Sequence, residues 1–236
     1  MSLPWERIVC IAWDFGGTLA APGPSPDGAV VADVLAGVFG AAAPRGFATV
    51  FDEFAARARH HARRTGRQPS WTGVLRDAAA VVGLSVPDGH AVEDAVFDYV
   101  PDATVDPRAV AGVWRLHELG FRCVLACNTQ RPGPRRHRTL VDAGIAGCFS
   151  AVLCSSTLGI RKPHPDFYAA VWRAAGCAPD QVVFVGDTPG KDVAGPRQAG
   201  AHAVLVAGTP ADAGGEVVVV GHVAELAGLV EAHRGR

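Results

Sequence analysis

The sequence predicts an α/β protein, a parallel sheet with an all-helical segment inserted after its first strand. Three observations predict it. Short apolar runs rich in Val, Ile and Ala recur without alternation, the pattern of strands buried on both faces. Helix-like segments that start at Pro and stop at Gly lie between several of them. The stretch 21–106, directly after the first run, holds no convincing strand. A chain of 236 residues suits one generous domain, or one domain with a smaller insertion.

The first strand is read at residues 8–13. Helices are then expected at 30–39, 47–64, 71–82 and 92–99, separated by breaks at Pro44, Pro69 and Pro87-Asp88-Gly89. A helical block between the first strand and the rest of a sheet implies a lid over the strand ends. The division follows: residues 1–20 and 107–236 form the sheet core, and 21–106 form a helical cap. Residues 107–119 place Val110, Val113, Trp114 and Leu116 on one stripe and stop at Gly120. Strands are expected at 122–126, 151–154, 182–185 and 203–206, with a possible sixth at 216–220. The helix at 165–175 stops at Gly176, and one at 190–199 stops at Gly200. Strand, helix, strand in this order gives right-handed crossovers in a parallel sheet. No internal repeat or low-complexity tract interrupts the pattern.

Composition excludes several function classes. Lys+Arg 22 against Asp+Glu 23 leaves a net charge of −1, so no footprint for nucleic acid or anionic lipid is expected. No apolar run reaches the roughly 20 residues that span a bilayer. The segment Met1-Ser2-Leu3-Pro4-Trp5-Glu6-Arg7 carries no basic region followed by an apolar stretch, so no secretory leader is expected. The cysteines are Cys10, Cys123, Cys127, Cys148, Cys154 and Cys177; none forms a CxxC pair, and buried free thiols in a reducing cytoplasm are the expectation. His60-His61 is the only histidine doublet, and it lacks the ligand spacing of zinc. Only Lys162 and Lys191 are lysines; every other basic residue is arginine. A position that needs a compact ammonium does not accept a guanidinium, which makes these two worth locating.

Four short motifs carry the chemistry, each at the C-terminal end of an expected strand, where α/β sheets bind ligands. The first is Trp13-Asp14-Phe15-Gly16-Gly17-Thr18-Leu19, which puts a carboxylate at the sheet edge. The second, Leu125-Ala126-Cys127-Asn128-Thr129, supplies a thiol, a carboxamide and a hydroxyl that could hold an anion. The third, Gly159-Ile160-Arg161-Lys162-Pro163-His164-Pro165, sets a lysine between stiffening prolines, where its ammonium could neutralise a phosphoryl group. His164 reads as the residue that starts a helix. The fourth, Val185-Gly186-Asp187-Thr188-Pro189-Gly190-Lys191-Asp192, places two carboxylates where they can converge on a hard cation. Lys191 reads there as a solvated helix-start residue.

The order and spacing of these four motifs resemble the haloacid dehalogenase superfamily, most closely its phosphatase branch of the phosphoglycolate phosphatase type, with a helical cap inserted after the first motif. The resemblance spans residues 8 to about 206. It implies a Rossmann-like core and a Mg²⁺-dependent phosphatase acting on a small phosphorylated metabolite, such as a sugar phosphate. Asp14 would be the nucleophile that takes the phosphoryl group. The carbonyl of Gly16, with Asp14 and Asp187, would hold Mg²⁺, and Asp192 would support the metal shell. Thr18 would brace the first loop, Lys162 would stabilise the phosphoaspartate, and Cys127, Asn128, Gly17 and Thr18 would face the phosphate.

Two departures stand out. Gly16 occupies the position where the resembled phosphatases carry a second Asp that acts as general acid and base; glycine offers a carbonyl but transfers no proton. That help is worth about 10²–10⁴-fold in rate. Cys127 stands where Ser or Thr is usual, and a thiol is a poorer donor. The related phosphonate hydrolases form a Schiff base on a cap lysine, and residues 21–106 contain none. The related dehalogenases need no metal and differ at the fourth motif, so the intact Asp187/Asp192 pair argues against them. A mutase needs a proton shuttle that Gly16 does not give. Either the leaving group is good enough to depart unprotonated, or the cap supplies a donor from Asp52, Glu53, His60 or His61. The alternative to an enzyme is a degenerate relative that binds a phosphate ligand or a partner without turnover. Substrate identity and oligomeric state are not written in the sequence.

Overall fold

The computed structural model describes residues 3–86, 88–206 and 217–234. The chain divides into two compact units, one made of Met1–Pro22 with Ala103–Arg236 and the other of Gly23–Asp102. The first unit holds six parallel strands: β1 (Cys10–Trp13), β2 (Arg122–Cys127), β3 (Phe149–Cys154), β4 (Val182–Gly186), β5 (His202–Val206) and β6 (Val218–Val220). Their order across the sheet is β3-β2-β1-β4-β5-β6. The order reverses between β1 and β4, which makes the C-terminal ends of those two strands the switch point where such sheets bind ligands.

The non-alternating runs have a direct cause. Ile11 and Trp13 of β1 pack into a core on one face of the sheet with Ala109, Val113 and Leu116 and with Leu226 and Val230. Cys10 and Ala12 of the same strand face the other way, against Phe167, Tyr168, Val171 and Ala175. Both faces are covered by helices, so the strands are apolar except at Arg122, Ser150 and His202, at or near the strand starts. Desolvation in these cores pushes the Cys10 and Cys123 thiols up to about 12, so they stay protonated. All six cysteines are free.

The helical unit holds α1 (Gly28–Phe39), α2 (Phe47–Thr65), α3 (Trp71–Val81) and α4 (Gly89–Tyr99). Asp27, Ser70 and Asp88 cap the starts of α1, α3 and α4 through side-chain oxygens. The unit has its own core, in which Phe47, Phe51, Trp71 and Phe97 pack ring to ring at 5.7 to 6.1 Å. Pro87, within one of the expected breaks, lies outside the described residues.

Back in the first unit, the remaining helices are α5 (Pro107–Glu118), α6 (Gly133–Asp142), α7 (Ser155–Leu158), α8 (Pro165–Ala175), α9 (Gly195–Gln198) and α10 (Glu225–Arg234). The helix expected at 190–199 takes another form. A π-helical turn over Pro189–Ala194 runs into the short α9, with Gly195 N–H donating to the Gly190 carbonyl. Such wide turns concentrate at functional sites, and this one carries Asp192. The expected sixth strand is present as β6, while Glu216 lies outside the described residues. Among the described residues no helix is long and apolar enough to cross a membrane.

Candidate active site

β1 ends at Trp13, and Asp14 continues its ladder by donating its N–H to the Val185 carbonyl of β4 at 2.9 Å. This carries the Asp14 carboxylate into the switch point between the two central strands. The chain then turns tightly around the Phe15 carbonyl, which accepts the N–H groups of Thr18, Leu19 and Ala20 at 3.3, 2.8 and 3.0 Å. The bracing expected of Thr18 is therefore supplied by the Phe15 carbonyl. The Thr18 hydroxyl itself is buried with no hydrogen-bond partner among the described residues.

Gly17 adopts φ +83°, and a Cβ there would stand 2.2 Å from Asp187 Oδ2. Only glycine lets the first loop approach that carboxylate. Gly17 N–H donates to the Ala20 carbonyl at 2.7 Å. This differs from the phosphate-facing role expected of Gly17: with no side chain and its N–H spent, it contributes space, not a donor. At Gly186, likewise, a Cβ would meet Asp192 Cγ at 2.4 Å. Gly16 is the opposite case, exposed and with no heavy atom within 4 Å of a built Cβ.

Asp14, Asp187 and Asp192 converge, with one carboxylate oxygen from each lying within 4.8 Å of the others. Lys162 is 1% exposed, and its Nζ donates to Asp14 Oδ1 and to Asp192 Oδ1, both at 2.7 Å. Burial by itself would lower the lysine pKa, but Asp14 and Asp192 more than reverse this and hold it above its ordinary value. Asp192 is fully buried, and burial raises its pKa against the pull of Lys162 and of the Thr188 N–H, which donates to Oδ2 at 3.0 Å. Half-buried Asp187 accepts the Thr188 hydroxyl at 3.1 Å. Three carboxylates around one ammonium leave two negative charges uncompensated within the cluster.

Asn128, expected to contact the phosphate, is bonded to the backbone of Lys162. Its Nδ2 donates to the Lys162 carbonyl and its Oδ1 accepts the Lys162 N–H, both at 2.9 Å. The carboxamide clamps the lysine backbone and so aims Nζ. Cys127 closes β2 with its Sγ 3.7 Å from Cys154 Sγ; the hydrogen bond from Cys154 pulls the Cys127 pKa below its ordinary value. His164 caps α8, its Nδ1 accepting the Asp166 N–H at 3.2 Å. Lys191 contributes through its backbone, its carbonyl accepting the Tyr168 hydroxyl at 2.6 Å. Asp52, Glu53, His60 and His61 lie on α2, in the helical unit.

Sequence reasoning missed Thr188, Cys154 and Arg136. The Arg136 guanidinium sits 3.6 Å over the Phe15 ring, holding the turn after Asp14 by a cation–π contact. Nothing in the spacing of residues 15 and 136 signals this.

A profile of haloacid dehalogenase-like hydrolases matches residues 8–200. The chain belongs to the haloacid dehalogenase-like hydrolases. Among curated members, it is similar to a phosphoserine phosphatase of Thermus thermophilus, 34% identical over 142 residues, which are 58% of this chain and 56% of that protein. It is also similar to a glyceraldehyde 3-phosphate phosphatase of Methanopyrus kandleri, 31% identical over 144 residues, covering 61% and 55% of the two chains. The chain thus spans little more than half the length of these two relatives. Among solved structures, a 2-haloacid dehalogenase from Pseudomonas syringae pv. tomato has a TM-score of 0.71 at 21% identity, covering 96% of this chain and 99% of that one. That likeness is one of fold. The parallel sheet with its flanking helices is the Rossmann-like arrangement expected of a hydrolase of this family.

Proposed function

We propose that this hydrolase is a Mg²⁺-dependent phosphatase that acts on a small phosphorylated metabolite through an aspartyl phosphate on Asp14. The observation that supports this most is the charge balance of the site, three converging carboxylates against one buried ammonium. Two uncompensated charges and an all-oxygen donor set suit a hard dication, and Mg²⁺ commonly takes carboxylates together with substrate phosphate oxygens. Asp14, Asp187, Asp192 and the Gly16 carbonyl would hold it, and when bound it neutralises charge on the phosphoryl oxygens. Asp14 attacks phosphorus, the bond to the leaving oxygen breaks, and water then cleaves the phosphoaspartate and restores the carboxylate. Lys162 holds the attacking carboxylate in place and covers the remaining charge, while Asn128 positions Lys162. Cys127 and the Thr18 hydroxyl are the groups assigned to the phosphate. The names of the two phosphatase relatives support the substrate class. Free thiols support a reducing, cytoplasmic setting.

The test is phosphate release from a panel of phosphorylated metabolites with and without Mg²⁺, read together with melting temperature. Mg²⁺ at about 100 times its Kd adds about 2.7 kcal/mol to the folded state. Release of phosphate and a rise in melting temperature are expected with Mg²⁺, and Asp187→Asn should lose both. No phosphate from any substrate would overturn the reading.

Gly16 favours a second reading. A halide leaves without a proton, so a dehalogenase loses nothing by having glycine there, and one curated relative is an (S)-2-haloacid dehalogenase of Xanthobacter autotrophicus, 32% identical over 166 residues. Against it, a carboxylate substrate would approach a site that already carries excess negative charge. Halide release from a 2-haloacid, with no phosphate release, would favour this second reading.

Gly16→Asp probes the same gap. The position is open, since a Cβ built there meets no heavy atom within 4 Å. Turnover of alkyl phosphates is expected to rise by about 10²-fold, the lower end of what general acid help supplies. An acyl phosphate, whose leaving group departs unprotonated, should gain much less. Equal rates for variant and parent on alkyl phosphates would mean that the proton comes from another residue.

A further inference from the structure

Cys127 and Cys154 are register partners on adjacent parallel strands, β2 and β3. Neighbouring strands lie about 4.8 Å apart, inside the roughly 4.4–6.8 Å between Cα atoms that a disulfide spans. Register partners project to the same face, and here the two sulfurs already stand 3.7 Å apart. The residue after each cysteine is tied into the site. Asn128 clamps the Lys162 backbone. Ser155 Oγ accepts the Thr129 N–H at 2.9 Å and donates to the Thr129 carbonyl at 3.0 Å, which joins the loop after β3 to the loop after β2. A movement of the sulfurs is therefore passed to the segment that aims the lysine.

We propose that Cys127 and Cys154 are an oxidation site, a dithiol that hydrogen peroxide closes into a reversible disulfide, and that closure lowers the activity of the adjacent site. The second half rests on the phosphatase reading; the first does not. The Cys127 sulfur attacks one peroxide oxygen, the O–O bond breaks, and the sulfenic acid of Cys127 forms with release of one water. The Cys154 sulfur then attacks the Cys127 sulfur, the S–O bond breaks, and a second water leaves. Two thiols are oxidised by two electrons in all and one peroxide is reduced to two waters. Closing the sulfurs from 3.7 Å to about 2.05 Å draws Cys127 towards β3, away from β1 and Asp14. The S–H donor at the site is lost with it. An added dithiol reverses the bond by exchange.

The test treats the full chain with hydrogen peroxide, denatures it, alkylates the remaining thiols and maps them by peptide mass. The expected product is a Cys127–Cys154 disulfide, lighter by two hydrogen atoms, that dithiothreitol returns to two alkylatable thiols. Phosphate release should fall by about 10²-fold, the order that a misplacement of about 1 Å costs, and should recover with the reductant. In Cys154→Ser no disulfide should form, and dimedone should instead trap the sulfenic acid on Cys127. Both thiols still alkylatable after peroxide, or a bridge between other cysteines, would overturn the oxidation site whether or not the protein releases phosphate. A mapped disulfide with undiminished phosphate release would overturn the link to activity.

Discussion

Asp14→Asn is expected to abolish phosphate release while leaving the fold intact. The amide fills the space of the carboxylate but offers phosphorus no anionic oxygen. A loss of at least about 10⁴-fold, or roughly 5.5 kcal/mol of barrier, follows if Asp14 is the attacking group. The fold has little reason to suffer. The backbone N–H of residue 14 keeps its bond to the Val185 carbonyl, and Lys162 keeps Asp192 at 2.7 Å. The cluster goes from two uncompensated negative charges to one, which offsets the lost ion pair. Melting temperature should therefore stay within a few degrees of the parent, a difference of about 1 kcal/mol or less. Acid quenching during turnover, followed by intact mass, reads the intermediate directly. The parent should gain the mass of one phosphoryl group and the variant none. Phosphate release that survives the substitution would remove Asp14 from the role.

Much of the fold was legible because burial on both faces forces a parallel strand to be apolar throughout. The runs at 122–126, 151–154, 182–185 and 203–206 all lie within observed strands, displaced by a few residues at most. The helix at 165–175 matches at both ends, because Pro165 and the left-handed Gly176 fix them physically. α6 was not legible. It opens from Arg131-Pro132-Gly133-Pro134, a stretch that reads as a breaker, and it buries only Arg136 and Leu140. α10 was missed as well, a short helix beyond the last expected strand. The π-helical turn at Pro189–Ala194 could not be told from an α-helix, since the two share composition and differ by one residue in hydrogen-bond register.

Site legibility followed the same division. Acidic and basic side chains at strand ends are visible because they interrupt apolar runs. That is how Asp14 and Asp187 stood out; Lys162 stood out because lysine is rare in this chain and Asp192 by its spacing from Asp187, and the structure brings all four together. Groups that act through the backbone were not visible. The two bonds from Asn128 to Lys162 connect residues 34 positions apart, and no spacing rule announces them. The same holds for Gly17, whose purpose depends on how closely Asp187 approaches from another strand.

Lys162→Met is expected to cost about 3–5 kcal/mol of stability, and the deficit should shrink in acid. Removing one partner of a buried pair leaves the other charge desolvated, which is where a loss of that size originates. Here two carboxylates lose the same partner. The sign of the pH dependence follows from the direction of each shift. Asp14 and Asp192 hold the Lys162 pKa up, so the lysine contribution in the parent is fully present below the unfolded value of about 10.4. It is constant from about pH 5 to about pH 8. Asp192 is held up by burial even with Lys162 beside it, and without the ammonium it rises further. A carboxyl with a raised folded pKa favours the folded state below its unfolded value, near about 3.9, and loses that contribution as pH climbs through the folded pKa. The deficit of the variant is therefore largest where Asp192 is ionised in the folded state and shrinks as pH falls through its raised pKa. Denaturant unfolding of both proteins in a chelator, which keeps a dication from replacing the missing charge, measures it. Adding Asp192→Asn to Lys162→Met should restore part of the loss by removing one buried charge. Lys162→Arg should not restore activity, because a planar guanidinium does not reproduce a point charge 2.7 Å from two oxygens in a closed site. A deficit that is flat or widens in acid would mean that the cost of the substitution is packing and not charge.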